Sequence, residues 1–487
     1  MYGHWAGRMH QLELNQANMW KQGPLDSARI QRLFFSTPQL SLHLRGVRVV
    51  DPARGWDGVA DLLVREGRLE AYGLHIPVPE GIPSLDGHGL VVGPALVDIH
   101  VHLRDPGFPE KETLESGARA AAQGGFGTIC CMPNTEPPLD QAERIADIRA
   151  RARSLPVRVM PIGTISQGRK GEVLADLESM AEAGAVGFSD DGDSTRSAAV
   201  MRQALAWSAS SGLPIMVHCE EPTLSRGGVM HDGEAARALG LPGIPALAEE
   251  LIVLRDLELA RETGGWLHVL HVTTARAAAM VRTAKRAGVR VTAEVTPHHL
   301  LMTDWWVAGQ RRFVGEDTVE IGPSPDPHAK VNPPLRREED ARALLAAVLD
   351  GAIDCFATDH APHHAAAKPS DLTRAAFGMI GLEFALPLLL RLIHRGVLSW
   401  LHFFDLFATR PATLFRLPGG VLRPGAPADV VVIDPMVTWQ VKPEVLASRS
   451  ANTPLLGMVL QGRAVLTVVD GKVAYADSAA LARRACS

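Results

Sequence analysis

Between residues 95 and 415, short apolar runs alternate with longer stretches of mixed polarity, and this alternation constrains the fold more than any other feature. The apolar runs lie at 96–102, 126–132, 157–163, 185–190, 213–219, 266–272, 290–296 and 353–359. Runs of that length read as strands covered on both faces, as in a parallel sheet. Helical stretches fall between most of them, including 139–153, 196–210, 247–262 and 275–287. Eight βα repeats over roughly 320 residues predict an α/β chain with a TIM-type (β/α)8 barrel. The alternative is an open doubly wound sheet, but no Gly-x-Gly-x-x-Gly follows the first strand to favour it.

The flanks have another texture. Segments 44–51 and 60–69 alternate apolar with polar residues around glycine turns, and so do 428–434 and 465–475. This predicts one small β domain assembled from both chain ends, 40–94 plus 416–478, beside a barrel spanning 95–415. Residues 1–39 are polar and aperiodic and are expected to form a poorly ordered arm.

Composition excludes several classes of function. A net charge of −5 without a long run of one sign gives no electrostatic footprint for nucleic acid or a membrane surface. No apolar run reaches transmembrane length. Five cysteines without a CxxC spacing read as reduced thiols, and Met1-Tyr2-Gly3-His4-Trp5 lacks the order of a signal peptide. The expected compartment is the cytoplasm.

Chemistry concentrates where the strands end. The apolar run 90–97 reads as a single buried strand that leads into Asp98-Ile99-His100-Val101-His102. Side chains at i and i+2 of a strand share a side, so both imidazoles can reach one point. Later runs end in Ser189-Asp190-Asp191-Gly192, His218-Cys219-Glu220, His268-Val269-Leu270-His271 and Thr358-Asp359-His360. A single buried histidine is usually structural, but several at one rim require mutual satisfaction, which a shared metal centre provides. His100, His102, His218, His271 and Asp359, with Asp191 between the metals, would form a binuclear zinc site. Asp190 competes with Asp191 for the bridging place, and the residue pattern leaves that choice open. Two metals bring a bridging water towards neutrality, and Asp359 is placed to take its proton and pass it to a leaving nitrogen.

Longer motifs surround these residues: Asp98-Ile99-His100-Val101-His102-Leu103-Arg104-Asp105-Pro106-Gly107, Met132-Pro133-Asn134-Thr135, Phe188-Ser189-Asp190-Asp191-Gly192, His218-Cys219-Glu220, Ala293-Glu294-Val295-Thr296-Pro297-His298-His299-Leu300, Asn332-Pro333-Pro334-Leu335-Arg336 and Ala357-Thr358-Asp359-His360-Ala361-Pro362-His363. With them the chain, from about 42 to 475, resembles the bacterial class I dihydroorotases of the amidohydrolase superfamily. The resemblance implies a barrel with a composite β domain and selects Asp191 over Asp190. It implies two Zn2+ ions bridged by Asp191 and a hydroxide, with Asp359 as general base and acid. The implied reaction is the reversible cyclisation of N-carbamoyl-L-aspartate to L-dihydroorotate, the third step of pyrimidine synthesis. Arg104, Asn134, Asn332, His363, Phe377 and Gly378 are the implied substrate residues. One Arg with Asn and His donors suits a ligand that carries a carboxylate and two ring amides. Association with aspartate transcarbamoylase, or with further copies of the chain, is a further expectation from the resemblance.

The chain departs from the family pattern in two further places. Ala375-Ala376 stands before Phe377-Gly378 where the family usually has Pro, and 305–330 is longer than expected, suiting a lid or an assembly contact. Two rival readings are a hydantoinase or allantoinase and an inactive scaffold for the transcarbamoylase. The first typically carries a carboxylated lysine on strand four, yet no lysine lies between Ala185 and Gly192. The second predicts lost ligands, and all six are present.

Overall fold

The computed structural model describes residues 39–484. All but the last residue of the predicted arm, and Cys486, lie outside the described residues.

Eight parallel strands follow in chain order: β1 Leu96–Val101, β2 Phe126–Cys131, β3 Arg158–Pro161, β4 Phe188–Ser189, β5 Ile215–Val217, β6 Leu267–Val269, β7 Val291–Val295 and β8 Cys355–Phe356. A helix follows each: α1 Leu114–Gly124, α2 Ala142–Ala152, α3 Leu177–Glu182, α4 Ala198–Ser211, α5 Leu247–Thr263, α6 Ala275–Arg286, α7 Glu338–Leu349 and α8 Ala385–His394. The expected alternation is therefore present throughout. β1–β3 form one sheet and β4–β8 another, each in sequential order. Single parallel bridges, Gly163 to Phe188 and Val101 to His360, link the two sheets at both seams.

Local chemistry explains the elements. Thr113 caps α1 by accepting from Ser116 N, while Leu114, Ala118 and Ala121 bury one face of that helix. Inside the strands, Val97, Ile99, Met132, Ile162 and Met216 form a core cluster separate from the larger one under the helices. Phe415 closes this inner core, its ring centroid 5.3 Å from Trp266 and 5.1 Å from His268. These contacts seal the end of the strands opposite the histidines that line the site.

Strands from both flanks of the barrel region build one mixed sheet. Strands Leu42–Asp51, Trp56–Arg65, Arg68–Gly73, Ser84–Asp86 and Val91–Pro94 join Val430–Gln440, Val459–Val469 and Lys472–Ala476. The halves meet where Val91–Pro94 runs antiparallel to Val430–Gln440, with Ile433 opposite Val91. Leu44, Leu62, Val92, Val432 and Leu466 share its core, which also takes in Leu481 beyond the expected limit at 478. Gly93 lets Phe404 approach, since a Cβ there would lie 2.5 Å from the ring.

The single strand expected over 90–97 is corrected to two. Val91–Pro94 belongs to the mixed sheet and Leu96–Val101 is β1. Pro94 has no N–H to continue a ladder. The backbone changes partners one residue later: Ala95 N still donates to Asp429 O at 3.1 Å, whereas Leu96 N donates to Gly125 O at 2.9 Å. The 305–330 segment carries a small hairpin, Gln310–Arg311 against Glu320–Ile321, with Ile321 81% exposed. Among the described residues no helix is long and apolar enough to cross a membrane.

Candidate active site

The strand ends bring the six expected ligands together. His100 lies in β1 and His102 directly follows it, Asp191 follows β4, His218 follows β5, His271 follows β6 and Asp359 follows β8; all are buried. Asp191 stands between two pairs of imidazoles. Its Oδ2 lies 3.6 Å from His100 Nε2 and 3.3 Å from His102 Nε2. Its Oδ1 lies 3.5 Å from His271 Nε2 and 3.6 Å from His218 Nδ1. Asp359 Oδ1 joins the first pair, 3.5 Å from His100 Nε2 and 3.0 Å from His102 Nε2. Two groups of donor atoms result, each able to hold a metal ion: His100, His102 and Asp191, and Asp191, His218 and His271.

The donor chemistry fits metal. Asp191 Oδ1 and His100 Nε2 are buried without a hydrogen-bond partner, a state that is costly unless a cation fills it. The choice between the adjacent aspartates has a geometric basis. Asp190 is saturated by Ile165 N, Ser166 N, Ser166 Oγ and Thr195 Oγ1. Asp191 alone reaches the histidines.

The far nitrogens of His100 and His218 are held too, by residues that strand-end reasoning missed. His100 Nδ1 lies 2.6 Å from Glu294 Oε1, and His268 Nε2 lies 3.2 Å from Glu294 Oε2. Burial opposes ionisation of Glu294, yet the His100 and His268 charges hold its carboxyl down to about 2. His218 Nε2 meets Glu220 Oε2 at 2.8 Å, leaving Nδ1 to face Asp191. Glu220 also is held down to about 2, against its burial, by the bond to His218. Such partners orient a ligating ring and raise its basicity. Both acids sit within quoted motifs, but neither ends a strand as a ligand, so their spacing carried no signal.

A cavity of about 220 Å³ opens above these groups, lined by all the expected residues except His100, which lies beneath. At about 30 Å³ per water, it holds roughly seven waters' volume, the scale of a small ring. Arg104 reaches only long contacts, 3.4 Å to Pro362 O and 3.4 Å to His363 Nε2. Burial lowers its guanidinium to about 10, against the pull of Asp359 and Asp191. Burial and the nearby Arg104 and Lys368 cations push His363 down to about 2, so its imidazole is neutral. Asn134 Oδ1 lies 2.8 Å from His102 Nδ1, and Asn332 Nδ2 donates to Glu220 Oε2 at 2.6 Å. Asn452 was not anticipated; it accepts from His363 N at 2.9 Å and donates to Ala361 O and Gly378 O. A Cβ at Gly378 would lie 2.7 Å from Ala361 Cβ, and its φ of 125° suits glycine.

Three of the site residues are left-handed without being glycine: Arg104 at φ 59°, His271 at 30° and Asp359 at 47°. Such conformations cost about 1–3 kcal/mol each and persist where the surroundings over-determine them.

A family model described as dihydro-orotase-like matches residues 89–277. A dihydroorotase from Geobacter metallireducens is 42% identical over 437 residues, spanning 90% of this chain and 100% of that protein. One from Pelotomaculum thermopropionicum is 44% identical over 439 residues, spanning 90% and 99%. The chain belongs to the dihydroorotase family. As a member it is a hydrolase of cyclic amides. Among solved structures, an L-hydantoinase (dihydropyrimidinase) from Arthrobacter aurescens superposes with a TM-score of 0.77 at 27% identity, covering 89% of this chain and 96% of that one. A dihydropyrimidinase from Brevibacillus agri shares the fold, with a TM-score of 0.73 at 20% identity over 90% and 96%. Identity to the dihydroorotases is well above that to these hydantoinase-type structures, which answers the nearest rival reading.

Proposed function

We propose that this dihydroorotase family member interconverts N-carbamoyl-L-aspartate and L-dihydroorotate with two zinc ions that His100, His102, Asp191, His218, His271 and Asp359 would hold. The observation that carries this reading is the placement of Asp191, with one carboxylate oxygen facing each histidine pair. Imidazole and carboxylate donors suit zinc. The two seam bridges support a closed (β/α)8 barrel over 95–415, with 40–94 and 416–478 as the composite domain. The proposed compartment is the cytoplasm, consistent with four free buried cysteines among the described residues.

When bound, the zinc pair supplies Lewis acidity and a water acidified towards neutrality. The chain's own groups supply the rest. Burial pulls the Asp359 carboxyl up, but the His100 charge and the contact with His102 hold it well below the usual carboxylate range. Asp359 takes the proton of the attacking water and delivers it to the ring nitrogen as the C–N bond opens; closure runs the transfer backwards. Arg104 and neutral His363 bind the substrate carboxylate that does not react. Asn134 and Asn332 offer amides to the ring, and Phe377 with Gly378 forms the facing wall.

The test is metal content of the purified chain, then ring opening of L-dihydroorotate beside hydantoin and allantoin. Zinc with activity on dihydroorotate alone is expected. Activity on hydantoin or allantoin instead would overturn the substrate. Zinc without any activity, persisting after aspartate transcarbamoylase is added, would make the chain a scaffold.

A further inference from the structure

The wall of the cavity that carries Phe377 and Gly378 is gripped by two buried lysines, Lys330 (3% exposed) and Lys368 (5%), which the reaction chemistry does not use. Their ammonium groups donate to main-chain carbonyls. Lys330 Nζ donates to Leu372 O at 2.6 Å and Ala375 O at 2.7 Å, and stands 4.1 Å from the centroid of the Phe377 ring. The carbonyl of Lys330 accepts from Gly378 N at 2.9 Å. Lys368 Nζ donates to Pro327 O and to that same Lys330 carbonyl, each at 3.0 Å. Asp371 and Asp326 act on them only from beyond salt-bridge distance, and burying an ammonium without a close carboxylate is unfavourable, so two of them at one loop need a reason.

Lys330 stands two residues before Asn332, which lines another part of the cavity wall. It therefore joins the backbone bearing Asn332 to the backbone bearing Phe377-Gly378. Ala375 and Ala376 have no ring to restrain them, and the grip on the Leu372 and Ala375 carbonyls provides the restraint.

We propose that Lys330 is a positioning residue for the substrate, holding the Phe377-Gly378 wall in register with Asn332, and that Lys368 steadies Lys330 through its carbonyl. The inference rests on the substrate assignment above. Lys330→Met and Lys368→Met test it in the zinc-loaded, full-length protein, through KM and kcat on L-dihydroorotate, metal content and amide hydrogen exchange over 368–378. For Lys330→Met, KM is expected to rise about tenfold or more while kcat stays within about threefold. Metal content stays unchanged, and exchange over 372–378 speeds up at unaltered global stability. Lys368→Met moves the same readouts less. Unchanged KM and exchange would overturn the proposal, as would a joint fall of kcat and metal content, which marks a folding role. If Lys330→Met does not fold, Lys368→Met decides by the same readouts. A wild-type chain inactive on L-dihydroorotate would refute the substrate assignment instead, and the exchange data would then judge the loop clamp.

Discussion

His102 Nδ1 and Asn134 Oδ1 lie 2.8 Å apart, and this contact decides which nitrogen of the imidazole is free. An amide oxygen only accepts, so Nδ1 carries a proton and Nε2 is the nitrogen left to face Asp191 and Asp359. Asn134 thus serves the metal side and the cavity side together. Asn134→Ala is expected to weaken metal retention about 10–100-fold, measured by chelator competition, and to raise KM as well. A rise in KM with undiminished metal affinity would show that the ring needs no such orientation.

Asp359→Asn is the cleanest separation of proton transfer from architecture. Asn tolerates the left-handed backbone at this position, where φ is 47°. The variant should keep much of its metal while turnover falls about 10²–10⁴-fold. Near-normal turnover with the metal in place would remove Asp359 as the proton carrier.

Arg104 meets its protein neighbours only at 3.4 Å, so it is available to a ligand carboxylate. A hydrogen bond to a charged group is worth about 1.5–3 kcal/mol, so Arg104→Met should raise KM roughly 10–150-fold with metal content unaltered. Arg104→Lys should recover little of this, because an ammonium does not reproduce the planar fork. Full recovery by lysine would reduce the role to simple charge.

Lys368 predicts a pH signature in stability. Burial, then the neighbouring Lys330, push its ammonium from 10.5 to about 7. Between those values the unfolded chain keeps a proton that the folded chain has lost, so this contribution to stability rises with pH across the window. The denaturation midpoint of wild type relative to Lys368→Met should therefore move in favour of wild type between pH 7 and about 9. A pH-independent difference would mean that the buried amine does not titrate there.

The candidate metal ligands were legible because each directly follows or ends an apolar run, so the order of strands alone collects them at one rim. Most of their supports were not, because those act between distant parts of the chain; Glu220, two residues from His218, is the exception. Glu294 holds His100 across 194 positions and Asn452 holds His363 across 89. The choice between Asp190 and Asp191 depended on which carboxylate the Ser166 loop consumes, a matter of backbone direction after β4. The break after Pro94 was hidden for a different reason: both pieces are apolar and buried, so burial pattern has nothing to mark the change of sheet. Lys330 and Lys368 would ordinarily be read as exposed.

The pairing of Val91–Pro94 with Val430–Gln440 also sets a timetable for synthesis. The strand leading into His100 and His102 leaves the ribosome well before its neighbour. About 340 residues separate them, a wait of roughly 20–70 s at 5–20 residues per second. Throughout that interval Val91 and Val92 lack their neighbour, and an edge of this kind invites pairing with another chain. A truncated product ending before 430 never acquires that neighbour, so prematurely terminated chains should aggregate and leave only finished ones to bind metal.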